Sequence, residues 1–261
     1  MEPTAGDVDY GLLGPGYTAH RQPDPRIEAR IHAALGTARS VLNVGAGAGS
    51  YEPLDRQVIA IEPSAAMRAL RPSHLVPAID ARAESLPLKD RSVDATMAIL
   101  TVHQWRDLEA GLAELRRVTR GPIVVMTFDS DANDRFWMTE YVPELGAAER
   151  ARHPPIRMLV DALSTPARRA TVETLFIPND CADGFTEAFY ARPERLLDPA
   201  VLRAQSSWNF VATEVKERFV RSLAADLASG QWDARFGHWR TAPFFEGSLR
   251  LVVGGDAIAC E

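Results

Sequence analysis

The sequence predicts an α/β protein: a mostly parallel, seven-stranded sheet flanked by helices, with a helical cover from the N-terminus and the C-terminal half. Short, bounded apolar runs suit strands buried on both faces of a sheet, and helical patterns separate several of them. Alternating strands and helices predict parallel pairing with right-handed crossovers. The seven runs cover residues 41–44, 58–61, 75–79, 95–100, 123–127, 171–177 and 249–253.

The first helix is indicated by its ends and by its apolar face. Asp24 is a typical N-cap, and Pro25 suits the first helical position. Gly36 stands where a helix would end. Between these signals apolar residues recur every four positions, at Ile27, Ile31 and Leu35. The pattern predicts a helix with one buried face before the first strand.

The second half of the chain lacks the alternating pattern. Residues 130–165 show no strand pattern, and residues 185–240 are typical of helices, with an apolar face that ends before Gly230. We predict one domain over residues 1–261. Its core comprises about 25–128, 166–180 and 246–256, and its helical cover, which would select the substrate, comprises about 1–24, 130–165 and 185–245.

The composition is ordinary for a soluble globular protein, with 46% hydrophobic and 25% charged residues. No apolar run approaches the roughly 20 residues of a membrane span, and the N-terminus lacks the pattern of a secretory signal. Cys181 and Cys260 fit no metal-site spacing, and we interpret both as reduced thiols. The net charge is −6 and the basic residues are scattered. We expect a cytoplasmic protein with no membrane or nucleic-acid partner.

A glycine-rich turn follows the first predicted strand. Residues 43–51 read NVGAGAGSY, which places Gly45, Gly47 and Gly49 at alternate positions. A dinucleotide site would need its third glycine at Ser50, and a P-loop would need Gly-Lys-Ser/Thr. A sharp strand-to-helix turn presents backbone N–H groups to a ligand. A tight structural loop is the alternative interpretation.

The second predicted strand ends at an acid. Glu62 follows the run Gln57–Ile61 and lies 17 residues after Gly45. A carboxylate at the carboxyl end of this strand can accept both hydroxyls of a ribose. The alternative is that Glu62 is an N-cap or an acid in the first turn of a helix.

Four segments together resemble a known family. VLNVGAGAGSYEP, VIAIEPSAAM, ARAESLPL and SVDATMAILTVHQW are similar to the class I S-adenosylmethionine-dependent methyltransferases over roughly residues 38–128. The resemblance is strongest to the ubiquinone/menaquinone-biosynthesis type, which acts on small molecules. It implies a Rossmann-like fold and S-adenosylmethionine as cofactor, with S-adenosylhomocysteine as product.

The resemblance also implies roles for individual residues. The glycine turn would line the amino-acid and ribose portion of the cofactor, and Glu62 would bind the ribose hydroxyls. An N-terminal Tyr and Arg four residues apart, here Tyr17 and Arg21, would fold over the cofactor. The implied cofactor-binding set is Asn43, Gly45, Ala46, Gly47, Gly49, Glu62, Pro63, Ser64, Ala83, Glu84 and Arg21.

Two positions depart from the family pattern. Asn43 stands where an acid is common, so it keeps a carbonyl acceptor and loses the charge. Arg82 stands where many members have an acid that accepts from the adenine amino group. We therefore assign adenine recognition to the backbone of Ala83 and to Glu84.

The candidate catalytic residues are His103, Tyr17 and Tyr190. His103 ends the fourth predicted strand, at the edge where open α/β sheets bind ligands. In the family this position lies near the transferring methyl group, so His103 would act as a base or orient the acceptor; a packed residue flooring the pocket is the alternative. Tyr190 and Glu187 are polar candidates for acid–base work in the cover.

No metal site is predicted. Asp129, Asp131, Asn133 and Glu140 match the spacing of a calcium loop, but the position of its invariant glycine is Asp134. A magnesium site for catechol-type methylation would need acids where the chain has His103 and Gln104.

The function predicted from these features is methyl transfer to O, N or C of a small, apolar or aromatic metabolite. Aromatic residues of the cover are candidates for the acceptor pocket, and the same surface could form a homodimer. A member of the fold that binds S-adenosylmethionine and catalyses a non-methylating step, such as cyclisation, is the alternative. The acidic net charge argues against a nucleic-acid methyltransferase.

Overall fold

The computed structural model describes residues 16–256, and its main feature is a six-stranded sheet. The strands of the chain are β1 (Ser40–Val44), β2 (Gln57–Ile61), β3 (Ala95–Ile99), β4 (Pro122–Phe128), β5 (Thr171–Thr174), β6 (Ile177–Pro178), β7 (Phe244–Phe245) and β8 (Leu249–Gly255). The sheet has the order β2-β1-β3-β4-β8-β5, and β6 pairs with β7 in a second, two-stranded sheet. Strands β1 to β4 are parallel to one another, whereas β8 runs antiparallel to β4 and β5.

The predicted count of seven strands is wrong by one, because residues 75–79 do not form a strand. Ile79 makes a single parallel bridge to Ile61 at the edge of the sheet. Pro77 has no N–H to donate, so it interrupts any longer ladder. Val76 and Ile79 are about two-fifths exposed, as expected for an uncovered edge. The predicted strand 171–177 also divides, since β5 ends at Thr174 and Ile177 joins β6.

The helices flank the sheet or form the cover. They are α1 (Tyr17–His20), α2 (Pro25–Ala34), α3 (Ala65–Ala69), α4 (Leu108–Val118), α5 (Met138–Tyr141), α6 (Pro143–Arg152), α7 (Ile156–Leu163), α8 (Pro199–Arg203), α9 (Thr213–Ser229) and α10 (Gln231–Phe236). Short 3₁₀ segments cover Val102–Gln104, Ser130–Arg135, Thr186–Phe189, Pro193–Leu197, Ser206–Phe210 and Gly237–Thr241. None of the described helices is long and apolar enough to span a membrane.

The predicted signals at the ends of α2 and α9 are confirmed. Asp24 caps α2, because its side chain accepts a hydrogen bond from the backbone N–H of Arg26. Gly36 and Gly230 follow the two helices with positive φ angles, +59° and +77°, which glycine adopts without steric cost. The caps therefore define where the chain leaves each helix.

The core lies on both faces of the sheet. Along β4, Val124 and Met126 enter one apolar cluster, whereas Ile123 and Val125 enter the other, as the period of two along a strand requires. Helix α2 and the cover pack on the first face, and α4 and α7 pack on the second. Both faces of the central strands are thereby buried, so their carboxyl ends form the accessible edge.

Candidate active site

A cavity lies at the carboxyl ends of the parallel strands, where open α/β sheets bind ligands. It encloses about 1450 Å³ of space between atoms, part of which is open to solvent. Its floor comes from residues that follow β1, β2, β3 and β4, and its roof comes from α5, α6 and loops of the cover. The floor contributes Asn43, Gly45, Ala46, Gly47, Glu62, Thr101, His103 and Phe128.

The glycine turn is shaped by its close neighbours. Gly45 has a φ angle of +69°, and a Cβ there would lie 2.0 Å from Oγ1 of Thr101. Gly49 has a φ angle of +97°, and a Cβ there would lie 2.1 Å from Leu75 Cδ1. Both positions therefore favour glycine for backbone conformation, and Gly45 also requires it for space, because the Thr101 Cβ would lie 2.7 Å away. Gly45 and Gly47 line the cavity without a side chain.

Glu62 is held at the edge of the cavity by two backbone groups. The N–H of Gly47 donates to Oε2 at 2.8 Å, and the N–H of Ser64 donates to Oε1 at 2.7 Å. Burial raises the pKa of the Glu62 carboxyl, although both N–H bonds oppose the shift. Each oxygen retains a lone pair, so the carboxylate can accept two further hydrogen bonds from a diol.

A buried ion pair that spacing alone does not reveal supports the turn. Glu52 and Arg71 pair at 2.8 Å with almost no exposure of either side chain. The Arg71 guanidinium also donates to the carbonyl of Gly47, at 3.3 Å. Asn43 donates from Nδ2 to Glu52 at 3.0 Å. Because a carboxylate only accepts, this bond leaves the amide oxygen of Asn43 available to a ligand.

The N-terminal segment reaches the cavity through Arg21. Its Nε donates to Asp183 at 2.6 Å, and the two residues also form an isolated antiparallel bridge. The hydroxyl of Tyr51, at the end of the glycine turn, donates to the other oxygen of Asp183 at 3.0 Å. Asp183 thus joins three separate segments. The backbone of Tyr17 lies in α1, but its side chain is outside the described part of the chain.

His103 faces the cavity from the 3₁₀ turn after β3. Its ring lies 4.4 Å from the ring of His153, centroid to centroid, and its Nδ1 has no hydrogen-bond partner among residues 16–256. Burial, and secondarily the nearby His153, lower the pKa of His103 well below its usual value. The imidazole is therefore neutral near pH 7. Its Nε2 lies 3.4 Å from the Gln104 amide nitrogen, which can only donate, so in this tautomer Nε2 is the acceptor and Nδ1 carries the proton.

The far end of the cavity combines aromatic rings with a carboxyl group. Phe185, Phe128, His153 and His103 form a continuous row, with successive centroids 5.6, 5.6 and 4.4 Å apart. Glu187 accepts from the N–H of Ser248 with both oxygens, at 3.1 and 2.9 Å. Burial raises the pKa of Glu187 to about 7. This wall can take a flat, mainly apolar molecule that carries a polar group.

Comparisons with known proteins identify the family. The methyltransferase domain family matches residues 42–122. A crystal structure of a putative methyltransferase from an antibiotic biosynthesis pathway of Anabaena variabilis is 30% identical, with a TM-score of 0.84, over 90% of this chain and 99% of that chain. The chain belongs to the S-adenosylmethionine-dependent methyltransferases. A search of curated proteins finds no match.

More distant structures share the fold of this methyltransferase. Geranyl diphosphate C-methyltransferase from Streptomyces coelicolor, solved with S-adenosyl-L-homocysteine, is 15% identical over 89% of this chain and 79% of that chain, with a TM-score of 0.52. The [4+2]-cyclase SpnF is also 15% identical, over 90% of this chain and 82% of that chain, with a TM-score of 0.50. At this identity the likeness concerns the fold alone.

Five residues of the sequence-predicted cofactor set lie outside the cavity lining of the methyltransferase. They are Gly49, Pro63, Ser64, Ala83 and Glu84. Ser64 instead caps α3, where its hydroxyl accepts from the N–H of Met67. Ala83 is packed in the apolar cluster under α4, and Glu84 accepts from the backbone N–H of Arg106 at 2.8 Å. The side chains of Ser64, Ala83 and Glu84 therefore have structural partners of their own.

Tyr190 does not reach the cavity, contrary to its predicted role. Its ring is fully buried and stacks on Phe245, and its hydroxyl donates to the carbonyl of Ala242 at 2.8 Å. Burial raises its pKa to about 12, so the hydroxyl stays protonated. Tyr190 therefore holds the cover together, and Glu187, three residues earlier, is the polar group that lines the site.

The acids after β4 are engaged in the cover. Asp129 forms an ion pair with Arg250 at 3.4 Å, and Glu140 forms one with Arg235. Within the described residues, no group of three or more His, Cys, Asp or Glu side chains is placed to hold a metal ion.

Proposed function

We propose that this methyltransferase transfers the methyl group of S-adenosylmethionine to a small, apolar or aromatic molecule that binds under the helical cover. The observation that carries the proposal is that one cavity is lined by both the glycine turn and the aromatic row. The glycine turn and Glu62 line one end, and the aromatic row with Glu187 lines the other. Alignment of two reactants inside one enclosed space, with water excluded, supplies most of the catalysis in such a displacement.

The residues at the first end fit the cofactor. Its ribose diol matches the two remaining acceptor sites of Glu62, and its amino-acid portion matches the bare backbone of Gly45 and Gly47. The amide oxygen of Asn43 would accept from the ammonium group, and Arg21 would cover the methionine side from the N-terminal segment. When bound, the cofactor supplies an electrophilic methyl group on a positively charged sulfur.

His103 is placed to act on the acceptor. The Gln104 amide donates to Nε2 of His103 at 3.4 Å, so the neutral imidazole carries its proton on the unpaired Nδ1 and would donate there to orient the acceptor. With the proton on Nε2 instead, Nδ1 would act as the base that takes the acceptor's proton. We retain Tyr17 as a second candidate, which together with Arg21 would close the site from the N-terminal side.

We propose that the enzyme is of the small-molecule type found in ubiquinone/menaquinone biosynthesis, with one domain over residues 1–261 and a cytoplasmic location. The relative from an antibiotic biosynthesis pathway supports a small-molecule acceptor. The net charge of −6 supports the absence of a nucleic-acid partner. A homodimer through the aromatic-rich cover is compatible with this assignment.

A screen by mass spectrometry tests the proposal. The protein is incubated with S-adenosylmethionine and pools of small aromatic and apolar metabolites. We expect one class of compound to gain the mass of one CH₂ while S-adenosylhomocysteine forms in equal amount. Conversion of a compound without a change in mass and without cofactor consumption would instead indicate the cyclisation alternative. Methylation confined to added nucleic acid or protein would contradict the small-molecule assignment.

A further inference from the structure

Gln205 lines the cavity, and its amide N–H₂ group is buried and unpaired. The residue is 3% exposed and lines the far end. Its Oε1 accepts from the hydroxyl of Thr186 at 3.0 Å and from Nε1 of Trp208 at 3.1 Å. Because an indole N–H only donates, these bonds determine which end of the amide is oxygen. Nε2 is left with no partner among the described residues.

An unpaired donor at this depth has a substantial free-energy cost. Leaving a buried N–H group without an acceptor costs about 1–3 kcal/mol relative to pairing it. A ligand oxygen at Nε2 of Gln205 would remove that cost. The orientation of the amide is fixed before any ligand arrives, because Thr186 and Trp208 hold its oxygen. Gln205 is thus a preorganised donor.

Glu187 supplies an acceptor in the same cavity, one residue after Thr186. It makes no ion pair with any described residue, although Arg250 and Glu149 act on it electrostatically from a distance. Both of its oxygens accept from the backbone N–H of Ser248, and the Ser248 side chain is also hydrogen-bonded to the carboxyl. Lone pairs therefore remain for a group that donates to it.

We propose that Glu187 and Gln205 form an acceptor-recognition subsite for a hydroxyl group carried on an aromatic ring. A hydroxyl oxygen accepts from Nε2 of Gln205 while its proton is donated to Glu187. The ring lies along the aromatic row of Phe185, Phe128 and His153. The inference rests on the proposed methyltransferase function and narrows its acceptor class.

Two simple probes test the subsite, phenol and toluene, which share a ring and differ in a hydroxyl or a methyl group. Binding of S-adenosylhomocysteine is measured first by calorimetry, since its absence would contradict the proposed function itself. The probes are then titrated into the protein saturated with S-adenosylhomocysteine. Small rings that fit an apolar wall should bind at concentrations of about 10 mM. We expect phenol to bind about tenfold tighter than toluene.

Variants test whether the preference for phenol comes from Glu187 and Gln205 or from the polarity of the cavity as a whole. In Glu187→Gln the amide oxygen must take the Ser248 N–H, so its N–H₂ group faces the cavity and cannot accept from phenol. We expect the preference for phenol to disappear in this variant and in Gln205→Met. The matched control is Glu173→Gln, a carboxyl outside the cavity lining, which pairs with Arg30 at 2.8 Å. The control should keep the preference.

The results that would overturn the proposal are distinct. Equal or tighter binding of toluene by the wild-type protein would do so, as would failure of both probes to bind. Retention of the phenol preference in Glu187→Gln would also overturn it. If Gln205→Met fails to fold, as judged by circular dichroism, the comparison of Glu187→Gln with Glu173→Gln decides the question alone.

Discussion

At the carboxyl end of β2, Glu62 combines burial with incomplete pairing. Two backbone N–H groups hold its oxygens in place, and each oxygen can still accept a further hydrogen bond. His103, just after β3, shows the same combination, since its ring lies against His153 and its Nδ1 is unpaired. Buried polar groups that lack part of their hydrogen bonding are the residues that a ligand would complete.

The first residue-scale prediction concerns Gly45. Alanine at this position would carry the cost of a left-handed backbone, about 1–2 kcal/mol, and an overlap with Thr101 that adds about 1–3 kcal/mol. Gly36→Ala is the matched control, because Gly36 also has a positive φ angle but no atom lies within 4 Å of the added Cβ. Urea unfolding should give a clearly larger loss for Gly45→Ala. Equal losses would mean that Thr101 does not restrict the turn.

The second residue-scale prediction concerns pH. Burial raises the pKa of Glu187 from 4.5 to about 7, so the native state binds its proton more tightly than the unfolded state. The free energy of unfolding should therefore fall as pH rises from about 4.5 to 7, by an amount on the order of 3 kcal/mol. Glu187→Gln should lack this part of the pH dependence. Parallel pH profiles of the two proteins, measured by urea unfolding, would show that the carboxyl is not perturbed.

At the scale of elements, the sequence predicts those parts whose signals are local. The cap at Asp24, the glycine turn and the buried parallel strands follow from residues within one turn or strand of each other. The strand predicted at residues 75–79 does not form. Its hydrophobicity indicates a strand, but Pro77 and the open edge of the sheet allow only one bridge. Ser64 and Glu84 match the family pattern in sequence, but local backbone donors occupy their side chains.

An element-scale prediction concerns the N-terminal segment. Asp183→Asn removes the charge that holds Arg21 and weakens the acceptor for Tyr51. We expect faster hydrogen exchange in residues 18–22 and about tenfold weaker binding of S-adenosylhomocysteine, because charge-assisted bonds contribute about 1.5–3 kcal/mol. Asp180→Asn is the control, since Asp180 is exposed and pairs with Arg26 outside the cavity. The same exchange pattern in both variants would contradict this role of Asp183.

At the scale of the whole molecule, the site joins residues that are far apart in the chain. Most of the proposed cofactor end lies within residues 43–62, which spacing could locate, and Arg21 joins it from the N-terminal segment. The acceptor end needs His153, Glu187, Gln205 and Ser248, which come together only because the cover folds over the strand ends. No spacing in the sequence relates these four positions. The sequence singles out Glu187 as a polar candidate in the cover, whereas the places of His153, Gln205 and Ser248 in the cavity become visible only through burial and hydrogen bonding.

The most direct test of the account is calorimetric titration of S-adenosylhomocysteine into the wild-type protein, Glu62→Gln and Glu84→Gln. Glutamine at position 62 has a single oxygen for the two backbone donors and the ribose diol, so we predict at least about tenfold weaker binding. Glu84→Gln should bind as the wild type does, because Glu84 lies outside the cavity. A folded wild-type protein that does not bind, or a Glu62→Gln variant that binds equally well, would contradict the assigned cofactor site.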